Sequence, residues 1–240
     1  MSGEFSIMNK QLLIDELNKR GILCNQETAD KLEAFMKHIL MWNEKFNLTA
    51  IKDEKSFMEK MIFDSAIALT DLDLSDKRVL DIGTGAGFPG VVLYLLNPNA
   101  DITLLDSTAK KINLIKDYAL DNGYKYQTVV ARAEDYARNN REQYDYVFAR
   151  AVAPLNILLE LAIPLLKVGG SFIALKGPGV EEEIAQSQTA LKKLNARVGK
   201  IIVDELPESS EARNIVYIIK DKQTNKKYPR DYKDIKNLPL

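Results

Sequence analysis

An apolar run that ends in an acid and then gives way to three alternating glycines constrains this chain more than any other feature. It reads Val79-Leu80-Asp81-Ile82-Gly83-Thr84-Gly85-Ala86-Gly87-Phe88-Pro89-Gly90. Glycine has no Cβ, so it accepts positive φ and lets a ligand lie against the backbone. Pro89 precedes an apolar helix-like run, Val91 to Leu96. Proline suits a first helical turn, where its missing N–H is no loss. Strand, glycine turn and helix N-terminus in this order form a nucleotide-binding βα junction at the carboxyl edge of a parallel sheet. Asp106 supports this reading. It ends the next strand-like run, Ile102-Thr103-Leu104-Leu105, where a carboxylate reaches ribose hydroxyls.

The glycines fit two registers. Gly85-Ala86-Gly87-Phe88-Pro89-Gly90 matches the dinucleotide fingerprint, with Asp106 about 20 residues on. Asp81 with Gly83, Gly85 and Gly87 matches the acid-x-G-x-G-x-G pattern of S-adenosylmethionine-dependent methyltransferases. Asp81 favours the second register. A dinucleotide places a pyrophosphate near the turn, and a carboxylate there would repel it. A sulfonium and an amino-acid group tolerate a nearby acid. A turn used only for packing is the alternative to both.

The chain has 240 residues, 46% apolar and 28% charged, enough for one good core with a small subdomain. One cysteine, Cys24, excludes an internal disulfide, and one histidine, His38, leaves no zinc-type cluster. No metal is expected, and a reducing cytoplasm is. No apolar run approaches the roughly 20 residues of a membrane span. Met1 to Ile7 does not read as a signal peptide, and Met8 suggests that this segment is a vector-derived leader. A net charge of −1 gives no global attraction to nucleic acid, so any such binding needs a local patch.

Residues 1–75 read as a helical region and 76–240 as an α/β unit, joined compactly. Helical spacing covers Leu12 to Arg20, with Gly21 as a stop, then Thr28 to Phe46 and Lys55 to Leu69. From Arg78 short apolar strands alternate with helices. Strands are predicted at 78–82, 101–106, 126–131, 144–149, 170–176, 197–205 and 213–220, and helices at 89–97, 108–122, 133–139, 154–167 and 180–195. Seven strands with six crossovers make a doubly wound, mostly parallel, Rossmann-like sheet.

Further segments follow the strand ends. Ala131-Arg132-Ala133-Glu134 could flank an adenine ring, or Glu134 could simply favour the helix dipole. Arg150, in Phe148 to Leu155, sits at the topological switch point. It could anchor a cofactor carboxylate, a phosphate or a guanine edge, or pair structurally with Asp81 or Glu134. Lys176, before Gly177-Pro178-Gly179, is either a phosphate contact or a plain surface lysine. The tail from Lys220 carries Lys220, Lys222, Lys226, Lys227, Arg230, Lys233 and Lys236 against Asp221, Asp231 and Asp234, with Tyr228 and Tyr232 interleaved. Such a strip can follow a phosphate backbone and stack bases, or be a solvated tail. His38, Cys24 and Trp42 read as structural.

Taken together these residues resemble the glucose-inhibited division protein B family, ribosomal small-subunit guanine-N7 methyltransferases acting on 16S rRNA. Trp42-Asn43 with Asn47-Leu48-Thr49, Asp64-Ser65, Asp81 to Gly90, Leu105-Asp106-Ser107 with Lys110-Lys111, Ala149 to Leu155, Lys176-Gly177 and Tyr228-Pro229-Arg230 stand in family order over nearly the whole chain. The resemblance implies a helical N-terminal cap on a seven-stranded methyltransferase fold. It implies S-adenosyl-L-methionine contacts at Gly83, Phe88, Ala133, Glu134 and Arg150, to which the motif adds Asp81, Gly85, Gly87, Asp106 and Ser107. It implies rRNA processing in the cytoplasm, with RNA contacts expected from Arg132, Arg150, Lys176 and Arg230. Two departures are visible: Met61 stands where the family usually has histidine, and Asp231-Tyr232-Lys233-Asp234 replaces its basic Pro-Gly pattern.

Guanine N7 carries a lone pair and loses no proton on attack, so no general base and no catalytic side chain are expected. Alignment supplies the rate. A methyltransferase acting on a non-RNA acceptor would ignore RNA, a non-catalytic cofactor or RNA module would bind without turnover, and a Rossmann dehydrogenase would prefer NADH.

Overall fold

The computed structural model describes residues 8–240. Met1 to Ile7, read above as vector-derived, lie outside the described residues.

Helix α1 (Lys10–Lys19) starts on Asn9, whose side chain accepts the Leu12 amide. Helix α2 (Gln26–Phe46) starts on Asn25, which accepts from Thr28 in the same way. Asparagine is favoured there because its short side chain reaches amides that lack a helical partner. The third run is broken into α3 (Glu54–Phe57), a π-helical stretch Met58–Phe63, α4 (Asp64–Ala66) and a 3-10 turn Ile67–Leu69. Apolar spacing over Lys55 to Leu69 predicts one helix and carries no sign of these changes of pitch.

The α/β unit follows as β1 (Arg78–Ile82), α5 (Gly90–Leu96), β2 (Asp101–Asp106), α6 (Ala109–Asn122), β3 (Gln127–Val130), α7 (Ala133–Asn139), β4 (Tyr144–Arg150), α8 (Leu155–Ala162), β5 (Leu166–Lys176), α9 (Val180–Gln186), α10 (Gln188–Leu194), β6 (Ala196–Glu205), β7 (Ala212–Lys220) and α11 (Tyr232–Asn237). The sheet order is β3-β2-β1-β4-β5-β7-β6. Strands β1 to β5 are parallel, and β7 runs antiparallel to both β5 and β6. The expected six crossovers are therefore corrected. Leu206 and Glu211 close a hairpin between β6 and β7, with the Leu206 amide donating to the Glu211 carbonyl. A tight turn joins antiparallel neighbours, whereas a parallel return needs a crossover of a dozen residues or more. The expected 154–167 helix also ends early, because Leu166 already pairs with Tyr144 in the sheet. The 180–195 helix divides at Ser187.

Strand side chains alternate between faces. Val79, Phe148 and Ile173 join one core with α2, the π-helical stretch, α5 and α6. Leu80, Val147 and Phe172 join a second with α8 and α10. The helical cap therefore shares its core with one face of the sheet. Phe35 of α2 is the link nearest the glycine turn. It is fully buried, with ring centroids 5.2 Å from Phe88 and 5.3 Å from Tyr118. We expect Phe35→Ala to lower the unfolding free energy by about 3–5 kcal/mol, read by urea denaturation. A loss near zero would mean that the cap does not depend on this contact.

Candidate functional site

The turn after β1 is fastened to the end of β2. The Gly83 and Thr84 amides donate to the Leu105 carbonyl at 2.8 and 3.1 Å. The Gly85 amide donates to Asp106 Oδ2 at 3.0 Å, and the Thr108 amide to Asp106 Oδ1 at 2.7 Å. Gly85 has φ +57, and a Cβ there would meet no protein atom closer than 3.9 Å. Gly90 is different: a Cβ would sit 2.1 Å from Leu104 Cδ2 and 2.7 Å from Asp81 Oδ2. One glycine thus leaves open space, and the other allows a close crossing of helix and strand.

That open space is a cavity of about 250 Å³ at the carboxyl ends of β1, β2 and β3. Of the residues singled out in the sequence, Gly83, Gly85, Asp106, Ser107, Arg132, Ala133 and Glu134 line it. Glu134 is buried, with Oε1 on Arg132 at 3.1 Å and Oε2 lacking any hydrogen-bond partner among the described residues. The guanidinium of Arg132 rests 4.2 Å from the Tyr232 ring centroid. Lys111, Val152 and Tyr232 also line the cavity. Of these, Lys111 was visible only as half of a lysine pair and Tyr232 only as part of the tail. Val152 stood out only as part of the Ala149 to Leu155 run. It packs over the turn so closely that a Gly83 Cβ would lie 2.6 Å from its Cγ2.

Asp81, Gly87, Phe88 and Arg150 stand behind this lining. Asp81 has no exposure, and its Oδ2 accepts the Gly90 amide at 2.8 Å. Burial pushes its carboxyl up to about 6, while the Gly90 amide and the Arg150 charge pull the other way. Gly87 lies against Phe35 and Val91. Arg150 lies 5.5 Å from the Phe88 ring centroid. Its partner corrects the expectation of Asp81 or Glu134. Nη1 meets Asp64 Oδ2 at 3.3 Å and the Lys60 carbonyl at 2.9 Å, and Nη2 meets the Met61 sulfur at 3.3 Å. Asp64 also accepts from Arg213 Nε at 3.0 Å. The cap thus supplies the countercharge for an arginine at the end of β4.

Two residues expected to contact RNA are engaged within the fold. Lys176 is not a surface lysine: its side chain is 10% exposed, and Nζ bonds the Ala153 carbonyl at 3.0 Å and Glu183 at 2.7 Å. It fixes the loop that carries Val152. Arg230 grips the fully buried Glu160 through Nε and Nη2 and donates to the Leu238 carbonyl. Lys220, expected in the basic tail, is buried on Glu142 at 3.0 Å. The free thiol of Cys24 is buried, which pushes its pKa up to about 11.

Comparison with known proteins narrows the chemistry. The GidB family model, described as rRNA small subunit methyltransferase G, matches residues 28–215. A protein of Symbiobacterium thermophilum named ribosomal RNA small subunit methyltransferase G is 43% identical, over 83% of this chain and 86% of its own length. Its namesakes in Clostridium kluyveri and Bacillus cytotoxicus are 41% and 36% identical, over 92% and 97% of this chain and 94% and 99% of their own lengths. Among solved structures, TrmN from Thermus thermophilus superposes with a TM-score of 0.51 at 20% identity, over 65% of this chain and 48% of its own. The cyclase SpnF gives 0.53 at 13%, over 66% and 81%. These likenesses speak for the fold alone, since one fold hosts many chemistries.

The buried Asp81 has a testable signature. Its folded pKa of about 6 exceeds the ordinary 3.8, so its protonated form favours folding. That contribution is complete below pH 3.8 and is lost as pH rises through 6. We expect the stability of Asp81→Asn relative to the parent to grow between pH 4 and 7 by about 3 kcal/mol, measured by denaturant unfolding of cofactor-free protein. A difference that stays flat with pH would show that the carboxyl is not perturbed.

Proposed function

This chain belongs to the GidB family of rRNA small subunit methyltransferase G, and from that premise we propose that it methylates N7 of a guanine in 16S rRNA with S-adenosyl-L-methionine. The observation that carries the cofactor reading is the buried Glu134 Oε2, unpartnered beside a cavity whose glycine turn leaves room for a ligand. An orphaned buried carboxylate oxygen is costly unless a donor reaches it, and an adenine amino group is such a donor. When bound, S-adenosylmethionine supplies an electrophilic methyl on a sulfonium.

The residues divide the work. Gly83 and Gly85 offer backbone for close approach. Asp106, with each oxygen holding one amide, keeps lone pairs for ribose hydroxyls. Ser107 adds a hydroxyl at the rim, and Ala133 with Glu134 bounds the adenine end. Asp81 and Gly87 act from behind, fixing the turn. Arg150, beside Phe88, keeps a guanidinium arm on the Met61 sulfur, a weak acceptor that a carboxylate can replace at little cost. Arg132 is exposed enough at the cavity wall to meet RNA.

The nucleophile needs no proton removed, so the protein's task is alignment. The methylated ring gains positive charge, and a carboxylate or carbonyl set nearby stabilises that charge as it develops. The A-form major groove is too narrow for side chains, so the target guanine must be unpaired or flipped. The substrate is small-subunit rRNA in the cytoplasm, within the small subunit or a precursor.

Labelled methyl transfer to unmethylated small subunits and to protein-free 16S rRNA should yield 7-methylguanosine on nucleoside analysis. Label in another base, or in no RNA at all, would reject the assignment. Gly85→Val should abolish S-adenosylhomocysteine binding in calorimetry, because its side chain enters the cavity-lining turn and its backbone is strained at φ +57, with circular dichroism run alongside to show that the protein still folds. Parental affinity in that variant would place the cofactor elsewhere.

A further inference from the structure

All four cations expected to reach RNA are paired with carboxylates: Arg132 with Glu134, Arg150 with Asp64, Lys176 with Glu183 and Arg230 with Glu160. A different set stands free beside the cavity. We infer that Lys45, Lys110 and Lys111 form a phosphate-binding strip for the single-stranded RNA that flanks the target nucleotide. The inference rests on the rRNA methyltransferase reading above and assigns the surface that reading leaves open.

A continuous path of contacts joins these residues to the site. Lys111 lines the cavity, with Nζ 4.0 Å from where a Gly85 Cβ would stand. Lys110 is exposed, and its Nζ lies 3.4 Å from the centroid of the Phe46 ring. Phe46 stacks on Trp42 at 5.2 Å with only 7° between ring planes. The Nζ of Lys45, also exposed, stands 4.7 Å from the Trp42 ring centroid. Lysines from two helices thus rest on one aromatic pair at the C-terminal end of α2, and the third leads into the cavity.

The rings hold the ammonium groups without neutralising them. A cation over an aromatic face is attracted by the ring quadrupole but keeps its full charge. Elsewhere on the cap Lys10, Lys31, Lys37 and Lys60 each meet a carboxylate, whereas Lys52 and Lys55 meet neither a carboxylate nor an aromatic ring among the described residues. Among the described residues Lys45, Lys110 and Lys111 meet no carboxylate. Glu44, beside Lys45 in sequence, instead lines a separate polar groove with Lys37, Asn47 and Lys52. Asp106 lies at the cavity, with its oxygens on two backbone amides. Placing Lys110 and Lys111 in the first turn of α6, which has no acid, works against the helix dipole. Local rules broken in this way are expected at functional surfaces. Unneutralised ammonium groups are compact point charges suited to phosphate. The strip lies along the approach to the site, where an unpaired strand must run.

The test is binding of in vitro transcribed 16S rRNA by fluorescence anisotropy over about 50–200 mM salt. The double variant Lys45→Ala/Lys110→Ala should lose about tenfold in affinity at low salt. Its log–log salt slope should be shallower by about 1.4, as expected for two lost single-strand phosphate contacts. Calorimetry should show parental affinity for S-adenosylhomocysteine. Lys192→Ala/Lys193→Ala, on α10 beside the far sheet edge, should bind RNA like the parent. Parental affinity and slope in Lys45→Ala/Lys110→Ala would overturn the strip, and so would an equal loss in Lys192→Ala/Lys193→Ala. A parent protein that neither binds nor methylates the RNA would defeat the rRNA reading itself, a result visible before any variant is compared.

Discussion

Asp81 lies in the middle of the sheet with no exposure, and its carboxylate receives the amide of Gly90 across the glycine turn. Everything at the site hangs on that closure. The turn must leave β1, approach β2 closely enough for Leu105 and Asp106 to take three amides, and return over β1 to begin α5. A longer side chain at 81 would not hold α5 at that crossing in the same way. Burying the acid has a cost, visible in a carboxyl pushed up to about 6. A buried polar group whose second oxygen lacks a partner is the type of local strain that persists only where surrounding structure over-determines it. Here that structure is the strand on one side and Gly90, squeezed against Leu104, on the other.

Strand positions were legible because each is a short apolar run with a clear end, and the paired registers agree with them closely: Arg78 to Ile82 against Asp101 to Leu105, for instance. The glycine turn was legible because its residues are adjacent in sequence. Asp106, Ala133 and Glu134 were legible because ligands gather at the carboxyl ends of parallel strands. The failures share one cause. A charged residue after a strand reads as a ligand contact, and only the fold reveals a partner far away in sequence. Arg150 and Asp64 are 86 residues apart, and Arg230 and Glu160 are 70 apart. The π-helical stretch was invisible for a related reason, since apolar spacing reports which face is buried and not the local pitch.

The cap is more than a lid over apolar surface. Phe35 and Phe57 both pack on Phe88, one residue beyond the glycines. Asp64 and the Lys60 carbonyl hold Arg150. The same helical region therefore supports the turn through hydrophobic contact and the switch-point arginine through charge. Met61 gives this arrangement a particular character. The guanidinium here meets a thioether 3.3 Å away. A thioether carries no charge, so on the cap side Asp64 is the carboxylate that Arg150 meets.

A chain with a formal net charge of −1 has no long-range field to draw an RNA toward it. Attraction must come from a few cations that are left without carboxylates, and their effect is confined to about a Debye length, roughly 8 Å at physiological salt. This places a geometric demand on the fold: the free charges must lie next to the chemistry. Lys176 and Arg230, held in internal ion pairs, do not meet that demand. The aromatic pair on α2 meets it by holding Lys45 and Lys110 in place while leaving their charge available. Local charge placement, and not net charge, is then the property that lets a nearly neutral protein select a highly charged substrate.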